Sequence, residues 1–384
     1  MLTRTRSRFA LAVLAVVLVA AACGNDDGST VRDLGSKDTS GSASASASAS
    51  GSASASASAS APSGGAAVSV GEDGGYEYAS DVSSHRLVVA DLCPIGDLLD
   101  AGDFAAVATI YQDGGNSVKG DGSIRTIGGF ASRDDRRHGL ADYYEVPTPL
   151  DDFVTSALDG SGVFEGQDDG VRSQGVEKGM RNQVMIAWVV HELNSALSKA
   201  RSGDFDVAGG AVHNWDEAWA FYHGSEAGCA PFATANSRAG NFGTLAPDAK
   251  TAAANIDILD AMIEGRDALL SEDAAGADAA AAEVTRNIVI TYSQATIRYA
   301  SLIEGDLAAG DDAKAKEHQA EGLAFWRVIE AYVEAEGADV DAINSTFDLA
   351  NGPGSNGFGD EVRVALAPAW SALGISDADI GVLQ

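Results

Sequence analysis

Two stretches of this chain repeat one another, and the repeat limits the fold more than any other feature. Arg181–Leu197 (RNQVMIAWVVHELNSAL) matches Arg286–Leu302 (RNIVITYSQATIRYASL), each opening on Arg-Asn before an apolar run. Ser202–Asp206 (SGDFD) is then matched by Ala309–Ala313 (AGDDA), and Glu217–Ala227 (EAWAFYHGSEA) by Glu321–Ala331 (EGLAFWRVIEA). A fainter third copy, Leu98–Gly114 (LLDAGDFAAVATIYQDG), keeps the Gly-Asp-Phe turn and the aromatic-x-x-Gly ending. A helical hairpin cannot bury its own apolar face, so repeated hairpins must stack into one core. No stretch offers the sustained period-two alternation of a half-buried strand. The expected fold is all-α, a bundle of repeated helical hairpins with long irregular loops.

In chain order, helices are expected at Arg86–Leu99 and Phe104–Tyr111, broken at Ala101-Gly102 and weakened by Pro94. A glycine-rich segment to about Asp169 lacks periodicity, apart from one short helix in ADYYEVPTPLDDFVTSAL. Met180–Ala200 is apolar nearly all round and reads as a buried central helix. Further helices are expected at Pro247–Leu270 with proline in its first position, Ala279–Glu304, Asp311–Glu336 and Asp360–Leu373. The repeats occupy roughly 84–170, 180–245 and 280–350 of a folded part spanning 71–384.

The densest chemistry lies in His213–Thr244 (HNWDEAWAFYHGSEAGCAPFATANSRAGNFGT), a helix over Asn214–His223 that closes in a Gly/Asn/Arg turn. Trp215, Ala218, Trp219 and Tyr222 share an apolar stripe, while His213, Asp216, Glu217, Ala220 and His223 line its neighbour. The plain reading is a core helix with a solvated polar edge. The alternative is a cation site. The repeat matches His213 and Glu217 to Glu317 and Glu321, again at i, i+4, with His318 alongside. Acids near helix starts also favour the macrodipole, which accounts for Asp216, Glu217 and Glu317 without a metal but explains the histidines less well. The candidate ligands are therefore His213, Glu217, His318 and Glu321, with Asp216 and Glu317 nearby, and His191 with Glu192 in second place. Imidazole and carboxylate are both ligands for a metal cation. Arg181, Arg286 and their asparagines read as polar anchors of the core.

The chain's start addresses location. Arg4, Arg6 and Arg8 precede an uncharged run, Phe9–Ala22, which ends in small residues before Cys23. This resembles a bacterial lipobox: residues 1–22 read as a signal peptide and Cys23 as the lipid-bearing, palmitoylated mature terminus. The alternative is an ordinary signal peptide with an incidental cysteine. Residues 23–70, dominated by a Ser-Ala repeat, lack the apolar content to fold and read as a disordered tether. The expected location is outside the cytoplasm, on the periplasmic or extracellular face of the membrane and held there by the lipid alone. In such a compartment Cys93 and Cys229 read as a disulfide, with two buried thiols as the alternative.

The formal charge of −31 disfavours a nucleic-acid partner, which needs a positive footprint. It is compatible with cation capture, but solubility or salt adaptation explains it equally well. No Gly-x-Ser-x-Gly, HExxH, Walker or Rossmann pattern occurs, so the chain reads as a non-enzyme.

Several short motifs in order resemble one family. Arg-Asn-Gln opening an apolar helix, DEAWAFYHG, ANSRAGNFGT and GDFAAVATIYQDGGNSVKGDGSIRTIGGFA are similar to the low-iron-inducible periplasmic, iron-assimilation proteins of algae. The likeness covers roughly Ser80 to Leu349. The family pattern has a cysteine after Asn-Phe-Gly-Thr, where this chain has Leu245, so no disulfide is carried over there. The resemblance implies an exported helical protein that binds iron or assists its acquisition, alongside a membrane iron permease or reductase. The competing expectation is a structural or interaction lipoprotein with an acidic helical surface and no metal.

Overall fold

The computed structural model describes residues 71–133, 136–354 and 358–384. The expected signal peptide, Cys23 and the tether to residue 70 lie outside them. The described part is mostly helical. A two-residue hairpin, β1 (Glu72–Asp73) and β2 (Tyr76–Glu77), leads into α1 (Ser83–Arg86) and a 3-10 turn, Val88–Leu92. Then come α2 (Ile95–Asp100), α3 (Phe104–Asp113), α4 (Ile127–Ala131), α5 (Leu140–Tyr144), α6 (Pro149–Asp159) and α7 (Asp169–Lys178). Beyond them run α8 (Met185–Arg201), α9 (Ala211–Tyr222), α10 (Pro231–Phe242), α11 (Ala253–Leu270), α12 (Ala274–Ala309), α13 (Asp312–Ala335), α14 (Val340–Phe347), α15 (Gly359–Ala372) and α16 (Asp377–Ile380).

The repeated sequences fall on repeated helix pairs. Helix α8 packs on α9, α12 on α13, and α12 also on α11 and α15. One buried cluster runs from Tyr76 to Ile380, with α8 and the middle of α12 inside it. The apolar-all-round pattern of both helices follows from that position, since neighbours cover every face. The asparagines that open the repeat are core anchors: Asn182 Oδ1 accepts from Tyr292 Oη at 2.9 Å, and Asn287 Nδ2 donates to the Glu283 carbonyl at 3.0 Å.

Four expectations need correction. The helix expected at Arg86–Leu99 breaks into α1, a 3-10 turn and α2, and Pro94, which lacks an N–H to continue a helix, separates the last two. The glycine-rich segment holds α4 and α5 as well as α6. Pro247 does not open α11: Asp248 accepts from the amides of Lys250 and Thr251, forming a turn, and the helix starts at Ala253. Residues expected as a Gly/Asn/Arg turn form α10, with Pro231 in its first turn and Gly243 (φ 69°) ending it.

The candidate metal centre

Helix α9 separates two jobs by face. Trp215, Ala218, Trp219 and Tyr222 are buried, and every polar tip among them is satisfied within the core. Trp215 Nε1 donates to the Met262 carbonyl (2.8 Å), Trp219 Nε1 to the Asp73 carbonyl (3.0 Å) and Tyr222 Oη to Asn255 Oδ1 (2.6 Å). Gly265 of α11 makes room for this stripe, since a Cβ there would lie 1.9 Å from Trp215 Cζ2. His223 is likewise structural, stacked on Trp219 with ring centroids 5.3 Å apart.

The neighbouring face carries His213 and Glu217 one turn apart, and α1 brings His85 against them. His85 Nε2 lies 3.0 Å, and His213 Nε2 3.1 Å, from the same Glu217 Oε1. One ligand atom from each residue falls within 4.8 Å of the other two. Both Glu217 (7% exposed) and His85 (8%) are buried, so their charge and lone pairs have little water to answer them.

Around this trio the tautomers are set by hydrogen bonds. Ser80 Oγ donates to Asp216 Oδ2 at 2.7 Å, so the 3.1 Å contact between Ser80 Oγ and His213 Nδ1 is a donation from the ring. Nε2 of His213 is thereby the nitrogen that faces Glu217 and a cation. Nδ1 of His85 is buried with no hydrogen-bond partner and can take the proton that Nε2 gives up on binding an ion.

The electrostatics follow from burial and from these contacts. Burial drives the His85 pKa down to about 4 although Glu217 draws it up, so this ring is neutral near pH 7. Burial also opposes charge on His213, but the hydrogen bond and charge of Glu217 outweigh it and raise its pKa. The Glu217 carboxyl pays for burial too, yet the two histidines hold it well below the usual carboxylate range. Glu192, buried and beside that negative charge, is held well above it. The side chains of Glu192 and Glu217 hydrogen-bond, so Glu192 is the partner that carries the proton.

The structure divides the sequence candidates. His213 and Glu217 come together. Asp216 points the other way: Tyr76 Oη (2.6 Å), the amides of Ala79 (3.0 Å) and Ser80 (2.7 Å), and Ser80 Oγ occupy its oxygens. It ties the segment before α1 onto α9. His191 accepts from the Arg137 amide at Nδ1 (2.9 Å), which leaves its proton on Nε2 and no lone pair there for a metal. Glu192 Oε2 accepts from Asn214 Nδ2 at 2.6 Å, orienting Glu217 from behind. In the matching repeat, Tyr299 Oη donates to Glu321, Lys178 Nζ stands 3.5 Å from Glu321, and His318 Nδ1 pairs with Asp306. Glu317 lies over Gly170 of α7. Among the described residues, neither Glu317, His318 nor Glu321 joins a group of three ligands.

His85 was not among the sequence candidates, because it lies outside the repeated helices. A signal for it did exist. Cys93 and Cys229 are disulfide-bonded, with Cα atoms 5.1 Å apart, which carries the segment after His85 to the end of α9.

Two imidazole nitrogens and one carboxylate oxygen form a donor set used for ferrous iron and for zinc. Bonds of about 2.1 Å at right angles separate neighbouring donors by about 3.0 Å, the spacing found between Glu217 and each histidine. The three residues could hold a single ion. No curated protein and no solved structure matches this chain. Residues 44–384, however, match the family model described as low iron-inducible periplasmic protein, Fea1, and the chain belongs to that family.

Proposed function

We propose that this protein captures iron outside the cytoplasm at His85, His213 and Glu217 and passes it on, without chemical turnover, as a step in iron assimilation. The observation that carries this reading is the convergence of three ligand atoms within 4.8 Å, two of them on buried residues, in a chain of the low iron-inducible family. The acidic surface of the chain, formally −31, concentrates cations around it. A lipid on Cys23 would hold the protein at the membrane beside the permease or reductase that shares the task, with residues 23–70 supplying reach.

The test is metal analysis of protein purified without chelator, followed by iron titration of the wild type and of His85→Ala, His213→Ala and Glu217→Gln. One ion per chain is expected, with affinity reduced at least about tenfold in each variant. Absence of stoichiometric iron, or affinities unchanged in all three variants, sinks the proposal. Cys23→Ser tests the anchor separately: the protein should leave the membrane fraction, and retention there contradicts lipidation.

A further inference from the structure

We infer that Arg136, His138 and Trp188 form a second binding site, for a small oxyanion, separate from the trio of His85, His213 and Glu217.

The site comes from three N–H groups that the fold buries without an acceptor. Trp188 stands on α8, 2% exposed, and its Nε1 has no hydrogen-bond partner among the described residues. His138 (4%) lies just before α5, and its Nδ1 accepts from the Leu140 amide at 3.1 Å, so its proton sits on Nε2. That Nε2 is buried and unpartnered as well, and so is Nε of Arg136. These groups are neighbours. The guanidinium carbon of Arg136 lies 5.5 Å, and that of Arg133 5.7 Å, from the centre of the Trp188 ring. The His191 ring stands 4.6 Å from the same indole and accepts from the Arg137 amide at 2.9 Å, which ties the arginine segment down beside α8. On the other side the Tyr332 hydroxyl of α13 donates to the His138 carbonyl at 3.4 Å.

The charge in this corner is positive. The chain carries 56 acidic side chains against 25 lysines and arginines, so an arginine with no carboxylate is unexpected. Among the described residues, however, Arg136 forms no ion pair and rests on the face of Trp188 alone. Glu192, 3.9 Å from His191 Nε2, carries a proton and is bound by Asn214. Burial, then His138 and Arg133, drive the His191 pKa down to about 3 against the pull of Glu217. Asp134 and Asp135, which interrupt the arginines in the sequence, lie outside the described residues.

The donor count selects the ligand. A buried N–H without an acceptor is costly, and a water is a poor answer to three of them. It accepts about two hydrogen bonds and must then place its own hydrogens on acceptors. An oxyanion offers lone pairs on every oxygen, and its bond to a guanidinium N–H is charge-assisted. A free phosphate and a carboxylate share this chemistry.

The experiment is isothermal titration calorimetry of metal-free, full-length protein with sodium phosphate and, separately, with sodium acetate, at an ionic strength fixed by sodium chloride. Saturable binding of one anion per chain is expected. Phosphate binding alone identifies a phosphate ligand, and acetate binding at least as tightly identifies a carboxylate. Arg136→Gln, checked for folding by circular dichroism, should weaken binding at least about tenfold. Trp188→Phe, which removes the Nε1 donor, should weaken it too, whereas Arg201→Gln, at an exposed arginine paired with Asp278, should not. His85→Ala should bind the anion as the wild type does, so failure of the iron site and failure of this one are told apart. Neither salt binding above the chloride background means that the donors are answered from within the chain, and overturns the inference. Affinity unmoved in folded Arg136→Gln and Trp188→Phe, or lost in His85→Ala, places the anion elsewhere and overturns it too.

Discussion

Glu217 shows how one side chain acquires a role from its surroundings. A single oxygen faces two imidazoles at 3.0 and 3.1 Å, and the carboxyl behind it, Glu192, supplies a proton rather than a second charge. The site therefore awaits one positive charge, which the His213 proton provides in the absence of metal. Since Glu217 raises the His213 pKa above its ordinary value against the effect of burial, protons compete with the ion across the neutral range. Affinity should fall as pH drops from about 8 to about 6. Near neutrality, binding should release protons, measurable by calorimetry in buffers of different ionisation enthalpy. An affinity flat over that range would mean that His213 is not a ligand. His85 adds little to this window because its pKa, about 4, lies below it.

At the scale of elements, the centre depends on how a four-residue helix is held. Helix α1 is too short to persist alone. Asp216 grips the chain just before it, and the Ser225 amide donates to the Arg86 carbonyl at 3.0 Å. Gly224, at φ 54°, allows close approach, since a Cβ there would lie 2.8 Å from that carbonyl oxygen. The Cys93–Cys229 bridge closes the far side across a sequence separation of 136. Loss of so long a loop constraint is worth about 5 kcal/mol in the chain-entropy account. Cys229→Ser or treatment with a dithiol should lower stability in denaturant titrations and weaken iron binding, because His85 loses one of its fixings. Stability lost with iron affinity intact would show that Asp216 and Arg86 suffice to place His85. The paired helices α12 and α13 demonstrate the converse. Their Glu321 takes a hydrogen bond from Tyr299 and has Lys178 nearby, so the repeated pattern there supports packing without assembling ligands.

Over the whole molecule, a formal charge of −31 sets acidic groups against one another on the surface of a helical core. Such self-repulsion costs stability and is screened by salt. Raising ionic strength from about 0.02 M to about 0.5 M should therefore raise the Tm of metal-free protein. It should also slow ion association, because the same field draws cations in. A Tm that falls with salt would place the balance instead in specific ion pairs such as Arg86–Asp73 and Arg286–Asp379.

What the sequence determined by itself was local. The 3.6-residue period made α8, α9, α12 and α13 legible, and the repeat announced that they pair. His213 and Glu217 were legible as partners because one helical turn brings them together whatever lies beyond. Family membership was legible from short motifs in order. Only the tertiary structure decided which polar groups meet. It turned Asp216 toward backbone amides, gave the proton of His191 to Nε2, and paired His318 with Asp306. It also brought in His85, from a segment with no repeat and little helix of its own. The reason is physical. Helical periodicity fixes neighbours within a turn, whereas ligands from distant segments converge only when core packing and a disulfide oppose the entropy of bringing them together.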